Sequence, residues 1–135
     1  MKIFVNGTFD VLHPGHLDLL QYAKSLGDFL LVAIDSDDRV AARKGLDRPL
    51  NPQYNRLKLI QSLRWVDDAM IFDSDLELTQ IVKQYRPHKM IVGSDYKDKT
   101  VIGSEYAREL IFYSRSTPYS SSQILENFIN RRQLR

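Results

Sequence analysis

The sequence predicts an α/β protein, a three-layer sandwich with helices on both faces of a five-stranded, mainly parallel sheet. Short apolar segments of strand length alternate with segments of helical periodicity over the whole chain. One apolar segment has no polar alternation, as expected of a strand buried on both faces. Because 43% of the 135 residues are hydrophobic, one core can form, and we expect a single domain over residues 1–135.

The predicted elements follow each other in a regular order. A strand at residues 1–6 is followed by a turn at 7–10 and by a helix that ends near Gly27, where a helix C-terminus favours glycine. Residues 29–34 are the continuous apolar run. The later elements are a helix at 52–63, a strand at 69–72, a helix at 76–85, strands at 89–92 and 110–113, and a helix at 120–132. Residues 42–52 are polar and rich in turn formers, and they predict a loop that is long enough to be mobile.

Composition excludes several classes of protein. The absence of cysteine excludes disulfides, thiolate metal sites and a cysteine nucleophile, and it is compatible with the cytoplasm, where we expect the protein to act. No signal-peptide pattern and no apolar run of membrane-spanning length is present, so we expect no membrane partner. The formal charge is only +2, and no stripe of basic and aromatic residues occurs. Nucleic acid is therefore not an expected partner.

The segment GTFDVLHPGH, which begins at Gly7, follows the first predicted strand. Ligands of open parallel sheets bind beyond the carboxyl ends of the strands, and a helix N-terminus favours an anion. Gly7 and Gly15 allow close approach of backbone to a ligand, and Pro14 is tolerated in a first helical turn. His13 and His16 would share one face of that turn. Two imidazoles placed in this way can donate hydrogen bonds to oxygens that gain charge when phosphorus is attacked.

Other interpretations of two nearby histidines are surface residues and a metal pair. A zinc site would require a third protein ligand. The chain has no cysteine, and its remaining histidine, His88, precedes the fourth predicted strand. We therefore expect no protein metal site and favour the phosphate interpretation.

GTFDVLHPGH resembles the GxFDxxHxGH signature of the cytidylyltransferase-like nucleotidyltransferases, a highly specific pattern. The resemblance implies a Rossmann-like nucleotidyltransferase fold. It also implies transfer of a nucleoside monophosphate from a nucleoside triphosphate to a phosphorylated small molecule, with release of pyrophosphate. In this family His13 and His16 would contact the triphosphate and stabilise the pentacoordinate α-phosphorus. Thr8, Phe9 and Asp10 would shape the nucleotide site, with Asp10 organising the loop rather than acting as a base.

The resemblance extends to later segments. It implies that Lys44 binds phosphate, although a loop lysine is usually only solvated. Arg56 matches an arginine that lies near the nucleotide in related enzymes; at a helix start its charge opposes the helix dipole unless an anion compensates. Gly93 and Asp95 follow the fourth predicted strand, which should lie beside the first, though GSDY is also an ordinary turn sequence. The segment from Asp35 to Asp38 we interpret as helix-capping sequence.

A second anion site is predicted near the end of the chain. Arg115 adds positive charge, and the hydroxyl and backbone N–H groups of Ser120, Ser121 and Ser122 would begin the last helix. Capping of that helix by serine is the alternative. The family commonly has the sequence ISTT here. The segment from Tyr119 to Ser122 has serine for both threonines, so the hydroxyl groups are retained.

Two subfamilies compete for the substrates. KGLDRPLNP and GSDYKDKTVIGSE resemble the adenylyltransferase domain of the bifunctional heptose 7-phosphate kinase and heptose 1-phosphate adenylyltransferase. RWVD, at residues 64–67, resembles a segment at the dimer interface of glycerol-3-phosphate cytidylyltransferases and predicts a homodimer, although Trp65 could also be a core residue. The resemblance favours ATP and a heptose-like sugar 1-phosphate, with CTP and glycerol 3-phosphate as the alternative.

Two further expectations complete the functional prediction. Mg²⁺ is expected to arrive with the nucleotide triphosphate, bridging its oxygens, rather than in a dedicated protein site. An alternative of another class is a regulatory module that binds a nucleotide without catalysis, since a fold never establishes function by itself.

Overall fold

The computed structural model describes residues 1–114 and 125–129. In that part of the chain the strands are β1 (Lys2–Gly7), β2 (Phe29–Asp35), β3 (Asp68–Phe72), β4 (Lys89–Gly93) and β5 (Glu109–Tyr113). The helices are α1 (Pro14–Ser25), α2 (Asp37–Lys44), α3 (Gln53–Gln61) and α4 (Asp75–Tyr85), with single 3-10 turns at Ser94–Tyr96 and Ser104–Tyr106. Residues 125–129 are helical, within the predicted last helix. No helix in these ranges combines the length and the apolar character needed to cross a membrane.

The five strands form one sheet in the order β3-β2-β1-β4-β5, and every pairing is parallel. The α/β prediction with a parallel sheet is therefore confirmed. β1 is the central strand, with Ile3 paired to Leu30 of β2 on one side and to Lys89 of β4 on the other. The chain builds the sheet outward from β1 through β2 and β3, then returns to add β4 and β5 on the opposite side. The order of the strands consequently reverses between β1 and β4, as predicted.

Each face of the sheet carries its own hydrophobic core. Because side chains alternate along a strand, β2 sends Leu30, Val32 and Ile34 to the face covered by α1 and α3. Leu31 and Ala33 point to the opposite face, where α4 packs. All five side chains are buried. The apolar run is thus buried on both faces from residue 30 to residue 34, as predicted, whereas Phe29 at its start is 41% exposed.

Helix α2 was not predicted from the sequence. Ser36 is its N-cap, and the Ser36 hydroxyl accepts a hydrogen bond from the Arg39 backbone N–H at 3.2 Å, which agrees with the interpretation of this segment as a cap. The predicted loop at residues 42–52 is wrong at its beginning, because α2 continues to Lys44. Val40 is the buried residue of this eight-residue helix, so the sequence offers no apolar periodicity by which it could be recognised.

Candidate active site

A cavity of ≈ 980 Å³ opens at the carboxyl ends of β1, β2 and β4. This is the side of an open parallel sheet at which ligands bind, next to the reversal of strand order. Four of the predicted site residues line the cavity: Gly7, Thr8, Lys44 and Gly93. Residues that are far apart in sequence therefore meet on one wall.

The two histidines of the loop formed by residues 7–16, hereafter the signature loop, are locked together at the start of α1. His13 is the N-cap, and its Nδ1 accepts a hydrogen bond from the Gly15 backbone N–H at 3.1 Å. In return, the His16 Nδ1 accepts from the His13 backbone N–H at 3.3 Å. The rings stack with their centres 3.8 Å apart and their planes 24° apart. Since both Nδ1 atoms accept hydrogen bonds, each neutral ring carries its proton on Nε2 and presents Nε2–H as its donor.

Phe9 links the histidines to the cavity wall. Its ring lies 5.2 Å from the His16 ring, and a Cβ added to Gly7 would come within 3.0 Å of the Phe9 Cε2 atom. Phe9 also adopts a positive φ of 51°, which is uncommon for a residue with a side chain and costs free energy at this point. Gly7 and Thr8 line the cavity, whereas the buried His13 and the half-buried His16 are not among its lining residues. The signature loop thus lines the cavity at Gly7 and Thr8, and Phe9 lies next to both Gly7 and the His16 ring.

Asp10 holds the segment of residues 48–51 against the signature loop. Its buried carboxylate accepts hydrogen bonds from the backbone N–H groups of Leu50 at 2.9 Å and Asn51 at 2.8 Å, and from Arg48 Nε at 3.3 Å. The Asn51 side chain donates in addition to the Asp10 carbonyl at 2.6 Å. These contacts give Asp10 the organising role that the family resemblance implies, because its two oxygens are occupied by protein donors.

Arg56 is fully buried at the start of α3. Its Nε donates to the Asn51 carbonyl at 2.8 Å, and its Nη1 donates to the carbonyls of Thr8 at 2.9 Å and Asp35 at 2.7 Å. Its Nη2 donates to the Asp37 carboxylate at 2.8 Å. The anion that a cation at a helix N-terminus requires is therefore Asp37 of the protein itself. This geometry places the buried Arg56 against the backbone of Thr8 and Asp35, two residues that line the cavity, and its nearness to a nucleotide stays a prediction.

Asp35, at the end of β2, joins the signature loop to α2. Its carboxylate accepts from the Thr8 hydroxyl at 3.1 Å and from Arg39 Nε at 2.7 Å. Arg39 Nη2 lies 2.6 Å from the Asp75 carboxylate, so the charge of Arg39 is matched by two carboxylates. The hydroxyl proton of Thr8 is engaged in this contact between two residues that line the cavity.

The last turn of α2 adds two positive charges, Arg43 and Lys44, to a cavity wall that also carries the carboxylates of Asp35, Asp38, Asp73 and Asp75. Arg43 is half-exposed, and its Nη1 is 3.8 Å from Asp35, a long distance for an ion pair. Lys44 is the next residue. Burial at the wall, together with the positive charges of Arg48 and Arg43, lowers the pKa of Lys44 below its ordinary value. An anion bound in the cavity would relieve the repulsion among these cations.

Several predicted residues lie wholly or partly outside the described part of the chain. Arg115, Ser120, Ser121 and Ser122 fall between residues 114 and 125. Asp95 lies in the 3-10 turn Ser94–Tyr96, which follows β4 as expected, but its side chain is outside the described atoms.

Comparison with known proteins agrees with this architecture. Residues 4–127 match the model of the family described as Cytidylyltransferase-like. The chain belongs to this family of nucleotidyltransferases. It is 43% identical over 124 residues to the Bifunctional protein HldE of a Nitratiruptor species and 44% identical over 108 residues to that of Campylobacter fetus subsp. fetus. These matches cover 92% and 80% of the chain but only 27% and 23% of the relatives.

Solved structures have the same fold. The lipopolysaccharide core biosynthesis protein from Thermoplasma volcanium superposes with a TM-score of 0.72 at 25% identity, over 87% of this chain and 98% of that one. The pantoate-beta-alanine ligase from Francisella tularensis superposes with a TM-score of 0.59 at 17% identity, over 90% of this chain and 60% of that one. The second likeness concerns the fold alone.

Several residues that build the site of this cytidylyltransferase-like chain were not predicted from its sequence. Asn51 and Arg48 anchor the segment before α3, and Arg43 adds charge to the cavity wall. For Arg39 a signal existed, because it stands four residues after Asp35 and can reach that carboxylate along a helix. For Asn51 there was no such signal, since its partner Asp10 is distant in sequence.

Proposed function

We propose that this nucleotidyltransferase transfers the adenylyl group of ATP to a heptose-like sugar 1-phosphate, giving an ADP-sugar and pyrophosphate. The observation that carries the proposal is the pair of imidazoles stacked 3.8 Å apart at the start of α1, next to Phe9 of the loop whose Gly7 and Thr8 line a cavity where the strand order reverses. The similarity to the HldE proteins supports an acceptor of the heptose class. The resemblance of the segments around Lys44 and Asp95 to heptose 1-phosphate adenylyltransferases supports the same acceptor.

The reaction requires little from the protein besides positioning and charge stabilisation. An oxygen of the acceptor phosphate attacks the α-phosphorus of ATP, the bond from that phosphorus to the oxygen bridging to the β-phosphorus breaks, and pyrophosphate leaves. The acceptor is already an anion near neutral pH, so no strong general base is needed. The Nε2–H groups of His13 and His16 donate to the oxygens that gain charge in the transition state.

The other predicted residues surround this pair in the proposal. The backbone at Gly7 and Thr8 lets the phosphates approach the wall closely. Lys44 and Arg115 neutralise phosphate charge. The residues proposed to bind the rest of the nucleotide are Gly93, Asp95, Ser120, Ser121 and Ser122.

Magnesium enters the proposal as part of the nucleotide substrate. In residues 1–114 and 125–129, no group of three or more histidine, cysteine or acidic side chains is arranged to hold an ion. The Asp35 carboxylate, which lines the cavity, is bound to Arg39 and Thr8. The triphosphate oxygens and water would therefore supply most ligands of the ion, as Mg²⁺ prefers in nucleotide sites.

The affinity for ATP should fall with rising pH because of Lys44. Its pKa is lowered in the free protein, and a bound phosphate favours the charged ammonium. Binding is therefore strong while Lys44 is protonated and weakens as the pH rises through that lowered pKa. KM for ATP should start to rise at a lower pH than the ordinary lysine pKa would suggest. In Lys44→Arg, whose guanidinium stays charged, KM should stay level between about pH 8 and about pH 10.5; an equal rise in both proteins would exclude Lys44 as the cause.

The proposal is tested by measuring pyrophosphate release with each of the four common nucleoside triphosphates against a panel of sugar 1-phosphates and polyol phosphates. ATP with a heptose 1-phosphate should give the highest kcat/KM. Preference for CTP and glycerol 3-phosphate would replace the proposed substrates by the cytidylyltransferase alternative. Binding of a nucleotide without any pyrophosphate release would support the regulatory module instead.

We also propose a homodimer that acts in the cytoplasm. The RWVD segment supports the dimer through its resemblance to a dimer-interface segment of glycerol-3-phosphate cytidylyltransferases; in this chain Trp65 is only half-buried, and the Arg64 guanidinium packs 5.1 Å from its ring centre. The use of ATP and the cysteine-free composition support the location. Sedimentation of the protein at micromolar concentration tests the dimer, and a monomeric mass would refute it.

A further inference from the structure

We infer that Arg56 is a positioning residue for the phosphate-binding Lys44, and that it acts from beneath the site without touching the nucleotide. The inference rests on the proposed nucleotidyl transfer. Its basis is that one buried guanidinium contacts two points of the chain that lie on either side of Lys44. These points are Asp37, at the start of α2, and Asn51, just before α3.

A buried guanidinium requires hydrogen-bond acceptors for its N–H groups. A charge removed from water must have its N–H groups satisfied, and Arg56 is fully buried. Its acceptors come from the signature loop, the end of β2, the first turn of α2 and the segment before α3. Because the guanidinium is planar and its donors have fixed directions, it sets the relative positions of these four segments.

Lys44 lies between a short helix and a segment without regular secondary structure. Residues 45–52 form neither helix nor strand, and Leu46 is 98% exposed. Residues 50 and 51 of this segment are tied down by Asp10, and Asn51 is held in addition by Arg56. At the other end, Asp37 fixes the start of α2, of which Lys44 is the last residue. Loss of the guanidinium would therefore remove one contact at each end of the segment that carries Lys44.

The test is a double-mutant cycle between Arg56→Lys and Lys44→Ala. A lysine ammonium cannot reproduce the fork of contacts, so Arg56→Lys should raise KM for ATP and its Kd measured by calorimetry roughly tenfold through misplacement of Lys44. In the Lys44→Ala background the same change should raise both by less than about twofold, because the group being positioned is already absent. An equal factor in both backgrounds would mean that Arg56 acts independently of Lys44 and would overturn the inference. So would a lower Tm with KM and Kd unchanged.

A second variant covers the case in which Arg56→Lys does not fold. Asp37→Ala keeps the guanidinium but removes its contact to the start of α2, and it should raise Kd for ATP about threefold. An unchanged Kd for ATP in Asp37→Ala would contradict the inference, and so would unchanged hydrogen exchange at the Leu50 and Asn51 amides in a folded Arg56→Lys protein. Arg108→Lys, at a residue remote from these contacts, is the matched control and should change neither quantity. A wild-type protein that binds ATP but transfers nothing would refute the proposed function while leaving the binding cycle and the exchange measurement decisive for Arg56.

Discussion

Replacing His16 by alanine should lower kcat for nucleotidyl transfer by roughly 10²–10³-fold, because one preorganised donor to the transition state is lost. Folding should change little. The His16 side chain accepts one hydrogen bond from the cap backbone, and a capping interaction contributes about 1 kcal/mol to the free energy of unfolding. Steady-state pyrophosphate release and thermal unfolding, measured on the same preparation, separate the two effects.

His13 caps α1 and also supplies a proposed imidazole donor, and one substitution can separate these two roles. Asparagine at position 13 can still accept a hydrogen bond from the Gly15 N–H, so His13→Asn keeps the cap and removes the imidazole. We expect a loss of kcat of the same order as for His16→Ala. The double variant should lose little more, since the two rings act as a unit. His88→Ala is the matched control: His88 accepts from the Lys2 N–H at the opposite edge of the sheet, and kcat should be unchanged. Turnover of His16→Ala within about tenfold of the native value would refute the assigned chemistry.

Replacing Asp10 by asparagine should lower the free energy of unfolding by about 3 kcal/mol. The carboxamide has nearly the same shape, but its amino group must face one of the three donors that the carboxylate now accepts. It also leaves the Arg48 guanidinium, only 14% exposed, without its charged partner. Urea denaturation followed by circular dichroism measures the loss.

The control for Asp10→Asn is the same substitution at exposed Asp98, which should change the free energy of unfolding by less than about 0.5 kcal/mol. Asp10→Asn should also raise KM for ATP, because the segment at residues 48–51 loses its anchor to the signature loop. A stability change at Asp10 as small as that at Asp98 would show that the carboxylate does not hold this segment.

Most of the fold was predictable because its signals are local. The apolar run of β2 and the helical spacing of apolar residues in α1 indicate burial directly. The parallel arrangement of the strands follows from the alternation of strands and helices along the chain. Helix α2 was not predictable in this way: its eight residues carry one buried side chain, and tertiary contacts hold it, namely the pairs of Arg39 with Asp75 and of Asp37 with Arg56. A polar helix fixed from outside leaves no periodicity in the sequence.

The candidate site was predictable where its residues are adjacent in the chain. His13 and His16 could be placed on one helical turn from their spacing, and Lys44 came from family resemblance. For Arg56, the residue pattern showed only a positive charge at the start of a helix, where it opposes the helix dipole. What compensates that charge is a set of carbonyls and a carboxylate from three other segments. Such contacts exist only after the sheet has formed, so no local pattern encodes them.

The central position of β1 also determines when the cavity can form during folding. Ile3 pairs with residue 30 on one side and with residue 89 on the other, so the second wall is contributed late during synthesis of the polypeptide. Closing so long a loop costs entropy before any contact offsets it, which makes this pairing a slow step. A nascent chain that has been synthesised only as far as β3 therefore contains His13 and His16 but has not yet formed the cavity, because β4 is missing.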